Sequence, residues 1–118
     1  MAHYVDGFVF PVPRNRLGDY KQVAAAAAAI WREYGALDYH EYLGDDLVRE
    51  GTRSFVDVVG ARPDEAVVFG WVVFESREAR DQANEKVAAD PRMVDLMASY
   101  DTGFDGNRMA YGGFEFLV

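Results

Sequence analysis

The chain has 118 residues, half of them apolar and 14% aromatic, which suits one domain spanning 1–118 around a continuous core and argues against disorder. Twelve basic residues, only Lys21 and Lys86 being lysines, face 20 acidic ones for a formal charge of −8, so no nucleic-acid partner is expected and the acidity reads as solubility or attraction for a cationic partner. The absence of cysteine excludes disulfides, thiolate nucleophiles and Cys-type zinc sites, no uncharged run approaches the ~20 apolar residues of a membrane span, and the first residues carry no secretion signal, so a cytoplasmic protein is expected.

Residues Tyr4 to Val12 are β-branched and aromatic and stop at Pro11-Val-Pro13, which predicts a first strand. Asn15 is the expected cap of a helix whose apolar positions, Leu17, Tyr20, Ala24, Ala27, Trp31 and Tyr34, recur at spacings of three and four. The alanines from Ala24 to Ala29 favour helix and leave a slim surface for close packing, and Gly35 ends the element. Ala36 to Leu43 is again strand-like but carries Asp38, His40 and Glu41, so it is expected near a sheet edge. After a turn at Gly44-Asp-Asp46, residues Arg53 to Val59 read as a second extended piece, taken as a continuation of the second strand beyond an irregular insertion.

Ala66 to Phe74 is the strongest strand, apolar on both parities apart from Gly70, and a strand apolar on both faces is covered on both faces. Ser76 caps a second helix with Ala79, Ala83 and Val87 as its buried stripe. Asp90-Pro91 starts a short helix with Met93, Leu96 and Met97 on its apolar side. A turn at Phe104-Asp-Gly-Asn107 leads to a last strand, Arg108 to Leu117. The order β-α-β-β-α-β predicts an α+β, ferredoxin-like fold with helices over one face of an antiparallel sheet. Two helices cover one face only, so a second copy of the chain is expected on the other, making a homodimer.

Several segments resemble the domain-of-unknown-function family 1428. They are Tyr4-Val-Asp-Gly-Phe8, Tyr34-Gly-Ala-Leu37, Gly44-Asp-Asp46, Val67-Val-Phe69 with Trp71, Ser76-Arg-Glu-Ala-Arg-Asp81 with Asn84, Asp90-Pro-Arg-Met93, Phe104-Asp-Gly-Asn-Arg-Met109 and Tyr111-Gly-Gly-Phe-Glu115. The resemblance spans nearly the whole chain. It implies a dimeric α/β barrel, two ferredoxin-like sheets packed face to face, and no established activity. Where relatives commonly show a Cys-Trp pair, this chain has Tyr42-Leu43. A label linking some relatives to signal-recognition-particle RNA finds no support in the charge balance.

No dinucleotide, phosphate-loop, zinc-protease or nucleophile-elbow motif is present, which removes the corresponding reactions. His40 is a candidate base if it points into a cleft, and otherwise an exposed edge residue. His3 is a weaker candidate, and two histidines without nearby partners predict no metal site. Asp6, inside an apolar strand, needs a partner, and Arg108 at the start of the last strand is the expected one, as a structural ion pair or a ligand-orienting one. Gly7, Gly70, Gly112 and Gly113 mark close packing or the approach of a ligand. Trp31, Trp71 and Tyr111 are candidates for lining one aromatic pocket between helices and sheet, with core filling as the alternative. The function expected is the binding or transformation of a small apolar molecule without a cofactor, by proton transfer or oxygenation if it is an enzyme, with His40 or Asp6 as the base and Arg108 or Tyr111 orienting the substrate. A non-catalytic sensor or interaction dimer is the alternative.

Overall fold

The computed structural model describes residues 3–118. Strand β1 (Tyr4–Pro13) is followed by helix α1 (Leu17–Glu33), strand β2 (Asp38–Leu43), a short helix α2 (Phe55–Val59) and strand β3 (Glu65–Phe74). Helices α3 (Arg77–Ala89) and α4 (Pro91–Ser99) precede the last strand, β4 (Ala110–Glu115). All three strand pairings are antiparallel and the order across the sheet is β2-β3-β1-β4, so the two long apolar strands lie at the centre and the more polar β2 lies at an edge. This is the ferredoxin-like α+β fold.

Alternation along the strands divides the side chains between two faces. Phe8, Phe10 and Val12 of β1 and Val68, Val72 and Phe74 of β3 pack towards the helices. There they meet Leu17 and Tyr20 of α1 at one end and Trp31, Ala79 and Ala83 at the other. Ala27, Ala28, Val23 and Ile30 form the buried stripe of α1. Asn15 does not cap that helix: it lies in a single 3-10 turn, Arg14–Arg16, and α1 begins without a side-chain cap. Ser76 and Asp90 do cap α3 and α4, accepting from Ala79 and Arg92 backbone N–H groups.

The stretch from Arg53 to Val59 corrects the sequence expectation, because Phe55–Val59 is helical rather than extended. Ser54 accepts a hydrogen bond from Val56 N–H at 3.1 Å, and Gly60 closes α2 in the left-handed region at φ 61°. Val56 and Val59, three apart, then fall on one side of the helix and pack with Leu47 on Val9 and Val67, on the face of the sheet away from the other helices. The chain thus makes no extra reversal between β2 and β3. Part of the second face is covered by α2, and the rest is exposed.

Three of the four glycines expected in the strands make room for aromatic rings. A Cβ on Gly70 would lie 2.6 Å from Phe8 and 2.9 Å from the His40 carbonyl, one on Gly113 would strike the Tyr4 phenol, and one on Gly7 would press Phe114 at 3.3 Å. Packing accounts for them.

Candidate functional site

The chemistry-bearing residues fall on two faces of the sheet. On the helix side lies a cavity of about 400 Å³. Its floor is Asp6, Phe8, Phe10, Val72 and Tyr111 of the sheet, and α1 contributes Tyr20, Val23, Ala27 and Trp31. Asn84 of α3, Met97 of α4 and the segment bearing Thr102, Phe104 and Met109 close the remaining sides. The walls are mostly apolar. Phe10 meets Phe104 and Tyr20 edge-on, with ring centroids 5.0 and 5.4 Å apart.

The polar end is built around Asp6, only 3% exposed. Tyr111 donates its hydroxyl to Asp6 Oδ2 at 2.5 Å, and Arg80 of α3 donates from Nη1 to Oδ1 at 2.9 Å. Arg80 is held in turn by the Tyr4 hydroxyl at 3.3 Å and by stacking over the Tyr4 ring, and its Nε faces Asp81 at 2.8 Å. Burial raises the Asp6 pKa above its ordinary value, against the lowering influence of Tyr111 and Arg80. Burial also raises the Tyr111 phenol, and the hydrogen bond to Asp6 raises it further, so it remains a neutral donor.

A second carboxylate, Glu41 of β2, sits under α1 and accepts from the hydroxyls of Tyr20 and, at 2.7 Å, Tyr39. Burial followed by the Glu41 charge pushes both phenols far above the ordinary range, which keeps them neutral.

Arg108 does not pair with Asp6. It forms a two-pronged ion pair with Glu65 at 2.6 and 2.7 Å and donates to the Gly60 carbonyl at 2.9 Å. The antiparallel register explains this: Asp6 lies opposite Gly113, so Arg108 is displaced by five residues, roughly 16 Å along the strand at about 3.3 Å per residue. Asp6 finds Arg80 instead, from the helix above. The hydrogen bonds from Arg108, more than any other cause, hold Glu65 down to about 2 from an ordinary 4.5. A depressed folded-state pKa contributes stability that is complete above the unfolded value and disappears as pH falls through the folded one. Urea midpoints should therefore decline between about pH 4.5 and pH 2, and Arg108→Gln should flatten that part of the profile.

Other candidates are separated from the cavity. Trp31 and Tyr111 line it, whereas Trp71 points to the opposite face and stacks on Tyr42 with centroids 5.1 Å apart, so the expectation of one pocket holding all three is corrected. Parity decides this, since Trp71 is adjacent to the helix-facing Val72. His40 lies opposite Trp71 on that second face, with Nε2 2.7 Å from Asp38. His3 is exposed beside Tyr4 and Phe116. Around Trp71 the second face forms an apolar groove with Val5, Val9, Phe55, Phe69 and Phe114. Among the described residues no group of three or more His, Asp or Glu side chains is placed to hold a metal ion, and no helix is long and apolar enough to cross a membrane.

A family model described as a protein of unknown function, DUF1428, matches residues 3–106. The chain is 43% identical over 115 residues to the uncharacterized protein YbaA of Escherichia coli K12, covering 98% of this chain and 97% of that protein, and equally similar to YbaA of Shigella flexneri. Among solved structures it is similar to a dimeric ferredoxin-like protein from an uncultured marine organism, with a TM-score of 0.49, 8% identity and coverage of 100% and 96% of the two chains. It is also similar to SnoaB, a cofactor-independent oxygenase from Streptomyces nogalater, with a TM-score of 0.46, 17% identity and coverage of 99% and 91%.

Proposed function

Because the chain belongs to the DUF1428 family, whose description is that of a protein of unknown function, its relatives supply no activity, and we propose that it binds a small, largely apolar organic molecule in the cavity between helices and sheet. The observation that carries this proposal is the lining: aromatic and aliphatic walls with one polar end at Asp6, Tyr111 and Asn84. Such a combination buries a ligand by its apolar body and orients it by a few hydrogen bonds. Asp6 and Tyr111 orient the ligand and Trp31 shields it from water. Where the ligand is transformed, Asp6 is the group placed to exchange a proton with it, and the raised pKa of this carboxyl brings it closer to the range of a useful base. His40, Trp71 and Arg108 take no part in the cavity.

A second role is favoured by the groove on the other face, where Tyr42, Phe69 and Phe114 are each at least 40% exposed. A second copy of the chain covers this face in our proposal, which makes the protein a homodimer with one cavity in each subunit.

The test uses N-phenyl-1-naphthylamine, a neutral probe, and a Trp71→Phe variant in which Trp31 is the only tryptophan left. Saturable energy transfer from Trp31 to the probe is expected. Ala27→Phe, which places a ring in the cavity from α1, should weaken binding about tenfold or more while leaving the circular dichroism unchanged. No transfer, or undiminished binding by the filled variant, would remove the cavity as the site.

A further inference from the structure

The polar end of the cavity also selects among ligands. We infer that it takes a neutral molecule bearing a hydroxyl group, an aromatic or alicyclic alcohol, and rejects carboxylates. The inference rests on the ligand-binding reading above and deepens it.

Among the described residues lining the cavity there is no lysine, arginine or histidine, and the one charged group that reaches it is Asp6. The nearest cation, Arg80, lies behind Asp6: Nη1 donates to Asp6 and Tyr111 and Nη2 to Tyr4, while Nε lies 2.8 Å from Asp81 without a hydrogen bond to it. The Tyr111 hydroxyl hydrogen is committed to Asp6 as well, and Tyr20 donates to Glu41. Thr102 accepts the Phe104 N–H and keeps its own hydroxyl hydrogen, and the Asn84 amide also lines the cavity. The donors left free in the lining are therefore neutral, while the Tyr111 and Tyr20 hydroxyls turn on protein carboxylates.

The one charged group in the lining also has acceptor capacity left. A carboxylate has about four lone-pair sites, and Asp6 has two protein donors, Tyr111 and Arg80. A ligand hydroxyl meeting Asp6 would complete its shell. A ligand carboxylate would instead face Asp6 with no cation within the lining, and like charges this close and this dry repel strongly. An ammonium group gains less than a hydroxyl, because Arg80 already balances the Asp6 charge at 2.9 Å while the ammonium loses its hydration.

Calorimetric titration at neutral pH with four probes of one skeleton separates the possibilities: 2-naphthol, 2-methoxynaphthalene, naphthalene and 2-naphthoate. Naphthol should bind about tenfold tighter than its methyl ether, the worth of one hydrogen bond to a charged acceptor, and naphthoate should bind weakest of the four. In Asp6→Asn the advantage of naphthol over the ether should shrink and naphthoate should gain. Should that variant not fold, the naphthol–ether comparison in the unaltered protein decides alone. Equal affinity for naphthol and its ether, or naphthoate binding as tightly as naphthol, would overturn the inference while leaving the cavity a binding site. Failure of all four to bind would overturn the ligand-binding reading itself.

Discussion

Replacing Arg80 by methionine should destabilise the protein by about 3–5 kcal/mol, the largest loss expected from any single substitution considered. The guanidinium and the Asp6 carboxylate are both well buried, with side chains 12% and 4% exposed, so neither recovers its hydration when the other is removed. Methionine keeps much of the length that packs beside Tyr4 but leaves the carboxylate with Tyr111 as its one remaining side-chain donor. The sign of the pH dependence follows. Burial already sets the folded pKa of Asp6 above its ordinary 3.8, and loss of Arg80 raises it further. A raised folded-state pKa means that stability is retained below the unfolded value and lost as pH rises through the folded one. The variant should therefore be least stable in alkaline buffer and recover on acidification. Adding Asp6→Asn should restore most of the loss, because a neutral amide tolerates the absence of the cation. Urea unfolding of the two singles and the double, read as a double-mutant cycle, measures this. A single variant within about 1 kcal/mol of the parent, or a double no better than the single, would show that Arg80 does not support Asp6.

Much of the fold was legible because its signals are periodic. The three- and four-residue spacing from Leu17 to Tyr34 and the apolar runs of β1 and β3 each admit one interpretation, and they lead to the sheet order that is observed. Helix α2 was not legible in that way. Phe55-Val-Asp-Val-Val59 is too short for a period to distinguish helix from strand, and its β-branched residues favour strand locally, whereas the Ser54 cap and Gly60 terminator are small signals that tertiary packing on Val9 and Val67 reinforces. For the site, Asp6 was recognisable as a buried carboxylate in need of a partner. Its partner was not, because Arg108 lies in a 3-10 turn ahead of β4 and out of register with Asp6, and Arg80 looks in sequence like any polar residue between Ala79 and Ala83. Parity along β3, Trp71 beside Val72, was available to separate Trp71 from Trp31, yet it required knowing which parity faces the helices.

The open face of the sheet leads to the second large effect. The charge of −8 opposes association of two identical chains at long range, so a dimer must be held by short-range burial of apolar surface. The available surface is the row of neighbouring rings Tyr42, Trp71, Phe69 and Phe55, with Phe114 across the groove. Phe69 is 40% exposed at the centre of the sheet, the position where a buried aromatic anchor contributes most to an interface. Phe69→Glu should thus place a carboxylate opposite its own symmetry mate or a ring, and raise the dimer dissociation constant about a hundredfold or more. Val94→Glu serves as the control, because Val94 is even more open to solvent, 59% against 40%, but lies on α4 in the helix layer, and it should leave the assembly intact. Sedimentation of the parent should give a dimer of 13.2 kDa chains and the Phe69 variant a monomer. A monomeric parent, or a variant that still dimerises, would sink the face-to-face arrangement. The cavity is lined by residues of one chain on the opposite side of the sheet, so the monomeric variant should still take up the naphthylamine probe. Loss of uptake together with dissociation would instead mean that the second copy holds the cavity open, and would make assembly part of ligand recognition.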